Sequence, residues 1–375
     1  MIPVGKPFVG DEEIAAVGEV IRSGMLAQGA VVTAFEEEFA SYCGVQEAVG
    51  TNSGTAALHA AMLALGITAG DEVIVPSFTF IATATTVSMC GATPIMVDVD
   101  PKTYTISPEE ISRHITPRTK AVVGVHLFGQ PFDVAPILEI CRDNDLFLIE
   151  DCAQAHGAMY NGVKVGGFGD VGCFSFYPTK NMTTGEGGMV TTNNPELAAR
   201  VRRIVNHGQS DKYLHTELGF NLRMSNLNAA IGRVQLSKLD GFNAKRQENA
   251  EYFNEHLKCA GLSTPYCRDG SVHVYHQYVV EVGDDFPMDR EAFMAYLREK
   301  EIGSAVHYPM PVHMQPLYRN TGDYSEDDTG NNATDDSQCP VSVALSSRVL
   351  SLPVHPGVTT EDCAYSCDII NEVKK

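Results

Sequence analysis

The chain has 375 residues, 44% of them hydrophobic, which is enough to bury one large core and a smaller second one. Its 27 lysines and arginines against 47 aspartates and glutamates leave a formal net charge of −20. That balance argues against nucleic acid or an anionic membrane as partner, because both need basic surface, and it means that an anionic substrate must be held by local donors.

The opening MIPVGKPFVG has neither a basic n-region nor an apolar h-region, and no apolar run is long enough to span a membrane. The ten cysteines are scattered, several inside apolar runs (Cys90, Cys141, Cys173), which fits buried thiols of a cytoplasmic protein better than a disulfide framework. Cys363 and Cys367 lie one helical turn apart, but no second pair completes a zinc site.

Asp11 can cap a helix in which Ile14, Val17 and Ile21 share a face, ending at Ser23-Gly24. A second helix covers roughly Val32 to Tyr42. TNSGTAALHAAMLALGI is a small-residue turn feeding an amphipathic helix, and backbone N–H groups at such a start bind phosphate. Strand-like runs follow at Glu72 to Val75, Pro94 to Val97, Ala121 to Val125 and Leu146 to Ile149, with helical stretches between them. One of these opens at Ser107-Pro108-Glu109-Glu110, a capping box with proline in the first helical position. The alternation implies a mostly parallel sheet with helices on both faces.

The strand from Leu146 runs into Glu150 and Asp151, and strand ends carry ligand sites in open α/β sheets. Strand side chains alternate, so Glu150 points to the opposite face from Asp151. Cys173 to Tyr177 reads as a short buried strand broken by Pro178 and Thr179, with Lys180 in the turn and Gly185, Glu186, Gly187 and Gly188 after it. A lysine at the mouth of a buried sheet loses hydration, which favours its neutral amine. A neutral amine forms a Schiff base with an aldehyde, and pyridoxal phosphate is the cofactor that uses one and needs a carboxylate beside its pyridine nitrogen.

Beyond this, Asn194-Pro195 starts a helix, and a long helical pattern from Ser225 to about Lys258 links a large domain (1–240, with an N-terminal arm) to a smaller C-terminal one (241–375). HVYHQYVVEV reads as a strand and DREAFMAYLREKEI as a helix. Thr321 to Gln338, rich in Asp, Asn, Gly, Thr and Ser, reads as an exposed loop.

Six ordered blocks carry a resemblance: NSGTAAL at 52–58, GDEVIVPSFTFIATA at 70–84, VHLFGQPFD at 125–133, EDCAQAHGA at 150–158, SFYPTKNMTTGEGG at 175–188 and GFNLRMSNLNAAIGRVQL at 219–236. The chain resembles the DegT/StrS-type sugar aminotransferases, pyridoxal-phosphate enzymes of the fold-type I superfamily. The resemblance implies an α/β large domain with a mostly parallel central sheet, a smaller α+β C-terminal domain, and a homodimer with shared sites. It implies Lys180 as covalent carrier and acid/base, Asp151 as partner of the pyridinium, and Gln154 as hydrogen-bond partner of the phenolic oxygen. Gly54, Thr55 and Ser175 would hold the phosphate. Phe80 would stack on the ring, with Phe78 as its rival. Asn221 and Arg223 resemble positions by which the neighbouring subunit reaches the phosphate and the substrate, and His307 and Tyr308 match a segment near the sugar. The implied reaction passes the amino group of an amino acid such as L-glutamate, by way of pyridoxamine phosphate, to a nucleotide-linked keto-6-deoxy sugar.

IPVGKPFVGDEEI and HYPMPVH look more like members that aminate C4, and the leucine-aspartate-leucine opening of many C3-aminating relatives is absent. Two other readings compete. A dehydratase of the same fold carries histidine in place of Lys180, and a non-catalytic regulator would tolerate loss of Lys180, Asp151 or Ser175. The chain departs from the family at Ser23-Gly24-Met25-Leu26, where many members have tryptophan; it has no tryptophan at all. Its 321–338 segment also looks longer and more acidic than usual.

Overall fold

In a computed structural model, residues 1–319 and 337–373 are described. The expected loop from Thr321 lies outside them except for its last two residues. Seven strands form the main sheet: β1 (Glu47–Thr51), β2 (Glu72–Pro76), β3 (Thr93–Val97), β4 (Thr119–Val125), β5 (Phe147–Asp151), β6 (Val171–Ser175) and β7 (Gly188–Thr192). Their spatial order is β1-β7-β6-β5-β4-β2-β3. Pairs β3–β2, β2–β4, β4–β5 and β5–β6 are parallel, and β7 runs antiparallel to both its neighbours.

Alternation along each strand divides the core in two. Val73, Val75, Ala121, Val123 and Ile149 face one side, packed with the helix Gly54–Ala64, whereas Ile74, Val122 and Leu148 face the other. A three-stranded antiparallel sheet, β8 (Leu262–Ser263), β9 (Tyr278–Val282) and β10 (Val349–Leu352), has its own core around Phe253, Tyr278, Phe293 and Leu350. The 31-residue helix Asn226–His256, capped by Ser225 Oγ, spans both: Ala229 and Leu239 join the core beside the main sheet, Ala250 and Phe253 the second. Ile2 bridges to Ile302, and Pro3 accepts a hydrogen bond from His355, so the first residues pack on the C-terminal elements.

Three local expectations are corrected. The first helix, Asp11–Ser23, is capped by Gly10, and Ile14 and Ile21 are 69% and 60% exposed while Glu13 and Val20 are buried. Glu13 fixes this rotation by accepting from Lys238 and Gln235, both at 2.8 Å. In HVYHQYVVEV only Tyr278 onward joins a ladder, because Val274 and Gln277 donate instead to the carbonyls of Gly129 and Phe128. Strand β6 ends at Ser175, and Tyr177 beyond it is exposed. Sequence reading also missed β1, a five-residue strand that is part of the sheet only through its antiparallel pairing with β7. No described helix is long and apolar enough to cross a membrane, and all ten cysteines are free.

Candidate active site

The carboxyl ends of β5 and β6 and the turn after β1 converge on one cavity of about 510 Å³. The turn after β1 starts the helix Gly54–Ala64. A helix start leaves N–H groups without intrahelical acceptors. Here Ser53 Oγ takes the N–H of Ala56 (3.1 Å) and the Ser53 carbonyl that of Ala57 (3.0 Å), leaving those of Gly54 and Thr55, which both line the cavity. Gly54 is required by close approach: a Cβ there would lie 2.5 Å from Ser175 Cβ at the end of β6. The absent side chain is what brings the helix start against the Ser175 hydroxyl, two features that suit one phosphate.

The two acids at the end of β5 take opposite faces. Glu150 is fully buried and accepts from His126 Nε2 (3.0 Å) and the N–H groups of Gly166, Phe168 and Gly169 (2.8–2.9 Å), so its oxygens anchor a loop behind the sheet. Asp151 faces the cavity, where it accepts from Thr83 Oγ1 (3.0 Å) and Ala153 N–H (3.1 Å). Burial pushes its carboxyl pKa up, against those two donors and the charge of Lys180. Two neutral hydrogen bonds do not offset the burial of this carboxylate, and a cation brought beside it would.

Lys180 follows Ser175 by a tight turn in which its N–H donates to the Tyr177 carbonyl (2.9 Å). Its side chain lines the same cavity, and burial lowers its pKa to about 8 while Asp151 pulls the other way. Desolvation wins, as the sequence predicted for a lysine in this turn.

Gln154 spans the wall between them. Its Oε1 accepts from Phe128 N–H (2.7 Å) and its Nε2 donates to Tyr308 Oη (2.8 Å), so the amide is held nitrogen-first with one N–H still to give. Phe80 lines the cavity at 53% exposure, 6.1 Å from the Tyr308 ring, whereas Phe78 is 1% exposed among Tyr104 and Phe128 in the core. His307 also lines it and is bonded through Nδ1 to Ser351 Oγ (2.9 Å).

Nine of the eleven residues singled out from sequence therefore share one cavity. Asn221 and Arg223 do not. They lie on the segment beside β1, where Arg223 donates to Asn206 (2.8 Å) and Asn221 is exposed. Sequence reading missed Thr83, which orients Asp151, and its neighbour Thr79 (hydroxyls 3.2 Å apart). Both sit in FTFIATATT, Thr83 on the helix Ala82–Met89 and Thr79 in the bend that leads into it. It also missed His276 and Gln277, hidden inside a segment read as plain strand.

A lysine of lowered pKa, a buried carboxylate whose charge is undercompensated, a phosphate-sized helix start and an exposed aromatic ring are the donor set that pyridoxal phosphate requires. The residues fit the group.

Comparison with known proteins points the same way. The description of the DegT/DnrJ/EryC1/StrS aminotransferase family matches residues 7–371. The chain is 40% identical over 361 residues to the UDP-N-acetyl-3-dehydro-α-D-glucosamine 3-aminotransferase of Acidithiobacillus ferrooxidans, covering 96% of this chain and 93% of that protein. It is 42% identical over 357 residues to the dTDP-3-amino-3,6-dideoxy-α-D-galactopyranose transaminase of Aneurinibacillus thermoaerophilus, covering 95% and 93%. A putative sugar aminotransferase of Streptococcus pneumoniae, solved in its PLP form, superposes with a TM-score of 0.90 at 26% identity, covering 99% of this chain and 98% of that one.

Proposed function

Because this chain belongs to the DegT/DnrJ/EryC1/StrS aminotransferase family, we propose that it moves an amino group from L-glutamate to C4 of a nucleotide-linked 4-keto-6-deoxy sugar. It is a pyridoxal-phosphate-dependent nucleotide-sugar aminotransferase. The donor, the position and the residue roles are our reading. One observation carries it: Lys180, an amine of pKa about 8, shares a cavity with a buried Asp151. A dehydratase would have histidine at 180, and a non-catalytic homologue would have no need to keep both groups facing one cavity.

When bound, pyridoxal phosphate supplies the electron sink that makes the α-proton of an amino acid removable. The Gly54 and Thr55 N–H groups and the Ser175 hydroxyl would hold its phosphate. Asp151, oriented by Thr83 and Ala153, would keep the pyridine nitrogen protonated, and the free N–H of Gln154 would donate to the phenolic oxygen. Phe80 would cover the ring. Lys180 Nζ would take the proton from the donor α-carbon and return it on the cofactor side, then reverse the transfer with the keto sugar. The pKa of about 8 suits both directions near neutral pH. His307 and Tyr308, which line the same cavity with the Tyr308 ring 6.1 Å from that of Phe80, would meet the sugar. Within this proposal, residues 1–240 form the cofactor-binding domain and 241–375 the smaller one, in keeping with the separate core of the second sheet.

The position of amination has two readings. C4 rests on the IPVGKPFVGDEEI and HYPMPVH stretches; C3 is favoured by two relatives whose names place the nitrogen there. Incubation with a panel of nucleotide keto sugars and NMR of the product decides. Nitrogen bonded to C4 is expected, and nitrogen on C3 refutes it.

The exposed placement of Asn221, away from its own chain's cavity, supports a homodimer in which it reaches the neighbour's phosphate. Mixed Lys180→Ala and Asn221→Ala protomers should then regain part of the activity that each lacks, because one site of the heterodimer carries both defects and the other neither. Proven subunit exchange without recovery would remove Asn221 from the neighbour's site.

A further inference from the structure

Behind the wall of the main cavity lies a second one of about 110 Å³, lined by Arg246, His276, His307, His355, Thr179 and Gly5 among others. Arg246 projects into it from the long helix and is 5% exposed. Its Nη1 donates to the carbonyls of Tyr275 (3.1 Å) and His276 (3.3 Å), and its Nε has no hydrogen-bond partner. Among the described residues no carboxylate pairs with it, and none lines this cavity. The three histidines that line the cavity, His276, His307 and His355, are neutral or cationic and so cannot supply the missing negative charge. A buried guanidinium left with two carbonyls and an unused N–H, facing a cavity, is an expensive arrangement for a merely structural group.

We propose that this cavity is a carboxylate subsite, filled by the amino-acid donor in one half of the reaction and by its 2-oxo acid as that product leaves. The inference rests on the aminotransferase reading above. Three observations favour a donor carboxylate over the diphosphate of the nucleotide sugar. First, Thr179, His276, Gln277 and His307 line both cavities, and Thr179 precedes Lys180, so the subsite adjoins the reacting centre. A donor α-carboxylate is one bond from the carbon that gives up its proton, whereas the diphosphate is separated from the keto carbon by the sugar ring. Second, at about 110 Å³ the cavity is well below the roughly 300–1,000 Å³ of pockets that take a whole small-molecule ligand, which suits a carboxylate group and not a nucleoside diphosphate. Third, Lys180 and Arg246 are the sole lysine or arginine among the residues lining the two cavities, and Lys180 is committed to the cofactor. In a chain of net charge −20, an anionic donor needs that one local cation.

The test uses the holoenzyme and glutarate, a dicarboxylate with no amine to react. Calorimetry should show Arg246→Met weakening glutarate at least about tenfold, with a similar rise in the KM for glutamate and partial recovery in Arg246→Lys. The half-reaction of amine-loaded enzyme with keto sugar should stay within about twofold of wild type, which a general loosening of the fold would not allow. Unchanged glutarate affinity in Arg246→Met, or an equal fall of both half-reactions, overturns the subsite. If that variant does not fold, a crystal of the wild-type holoenzyme with glutarate decides: a carboxylate on Arg246 Nε supports it, and glutarate elsewhere overturns it. Wild-type enzyme that binds glutarate at Arg246 but transfers no amino group would count against the reaction assigned above and leave the carboxylate subsite in place.

Discussion

Replacing Lys180 by alanine is expected to remove amino transfer, by roughly four orders of magnitude, together with the yellow colour of the purified protein. The magnitude is the upper end of what a positioned proton-transfer group contributes, and here the same amine is also the covalent attachment point. Its chemistry depends on the free base. Burial lowers the Lys180 pKa from 10.5 to about 8, so the reactive fraction is about a tenth at pH 7, whereas an ordinary lysine would offer well under one part in a thousand. Capture of pyridoxal phosphate by the stripped protein should therefore accelerate about tenfold per pH unit below pH 8 and level off above it. Borohydride reduction followed by peptide mapping checks the assignment directly. The pyridoxyl group should sit on Lys180 in wild type and be absent from the alanine variant; a label on any other lysine removes Lys180 from this role.

Much of this site was legible because strand ends in a parallel sheet are marked locally. A run of buried β-residues, an acid at its end and a lysine in the next turn announce both the sheet and the face on which ligands bind, and Glu150 and Asp151 divide between faces as alternation requires. The preference for Phe80 over Phe78 came from the resemblance alone, since residue type and local pattern do not separate two phenylalanines in one short segment. Burial separates them, at 53% against 1% exposure. What stayed hidden were partners contributed from far along the chain. Arg246 meets the carbonyls of residues 275 and 276 only once the second sheet has docked, and the rotation of the first helix follows from contacts of Glu13 with residues 235 and 238. Hydrophobic periodicity assumes that the apolar face is the buried one; in this helix a buried ionic contact overrides it, and Ile14 and Ile21 are left outward. Such surfaces are open to a second subunit, the assembly on which the Asn221 proposal depends.

Asp151→Asn separates the two things this carboxylate does, and they carry opposite signs. The folded protein raises the Asp151 pKa, chiefly by burial, so the ionised form is worse accommodated folded than unfolded. A carboxyl whose pKa is raised on folding destabilises the fold as pH rises through its unfolded value. At neutral pH the cofactor-free asparagine variant should therefore unfold at the same temperature as wild type or a higher one. Its side chain is isosteric, can still accept from Ala153, and can donate to Thr83, whose hydroxyl then turns toward Thr79. Catalysis should move the other way. An amide cannot hold a proton on the pyridine nitrogen by charge, and loss of one such preorganised group costs roughly a hundred- to a thousandfold in rate. Cofactor should still load, because Lys180, the helix start and Ser175 are untouched. Glu150 cannot substitute, since its oxygens already accept four donors on the far side of the sheet. The measurement is the glutamate half-reaction followed by absorbance, beside thermal unfolding of the stripped protein. A half-reaction rate near wild type would show that no carboxylate is needed at the ring, and a lower unfolding temperature would show that the Asp151 charge is compensated within the empty fold.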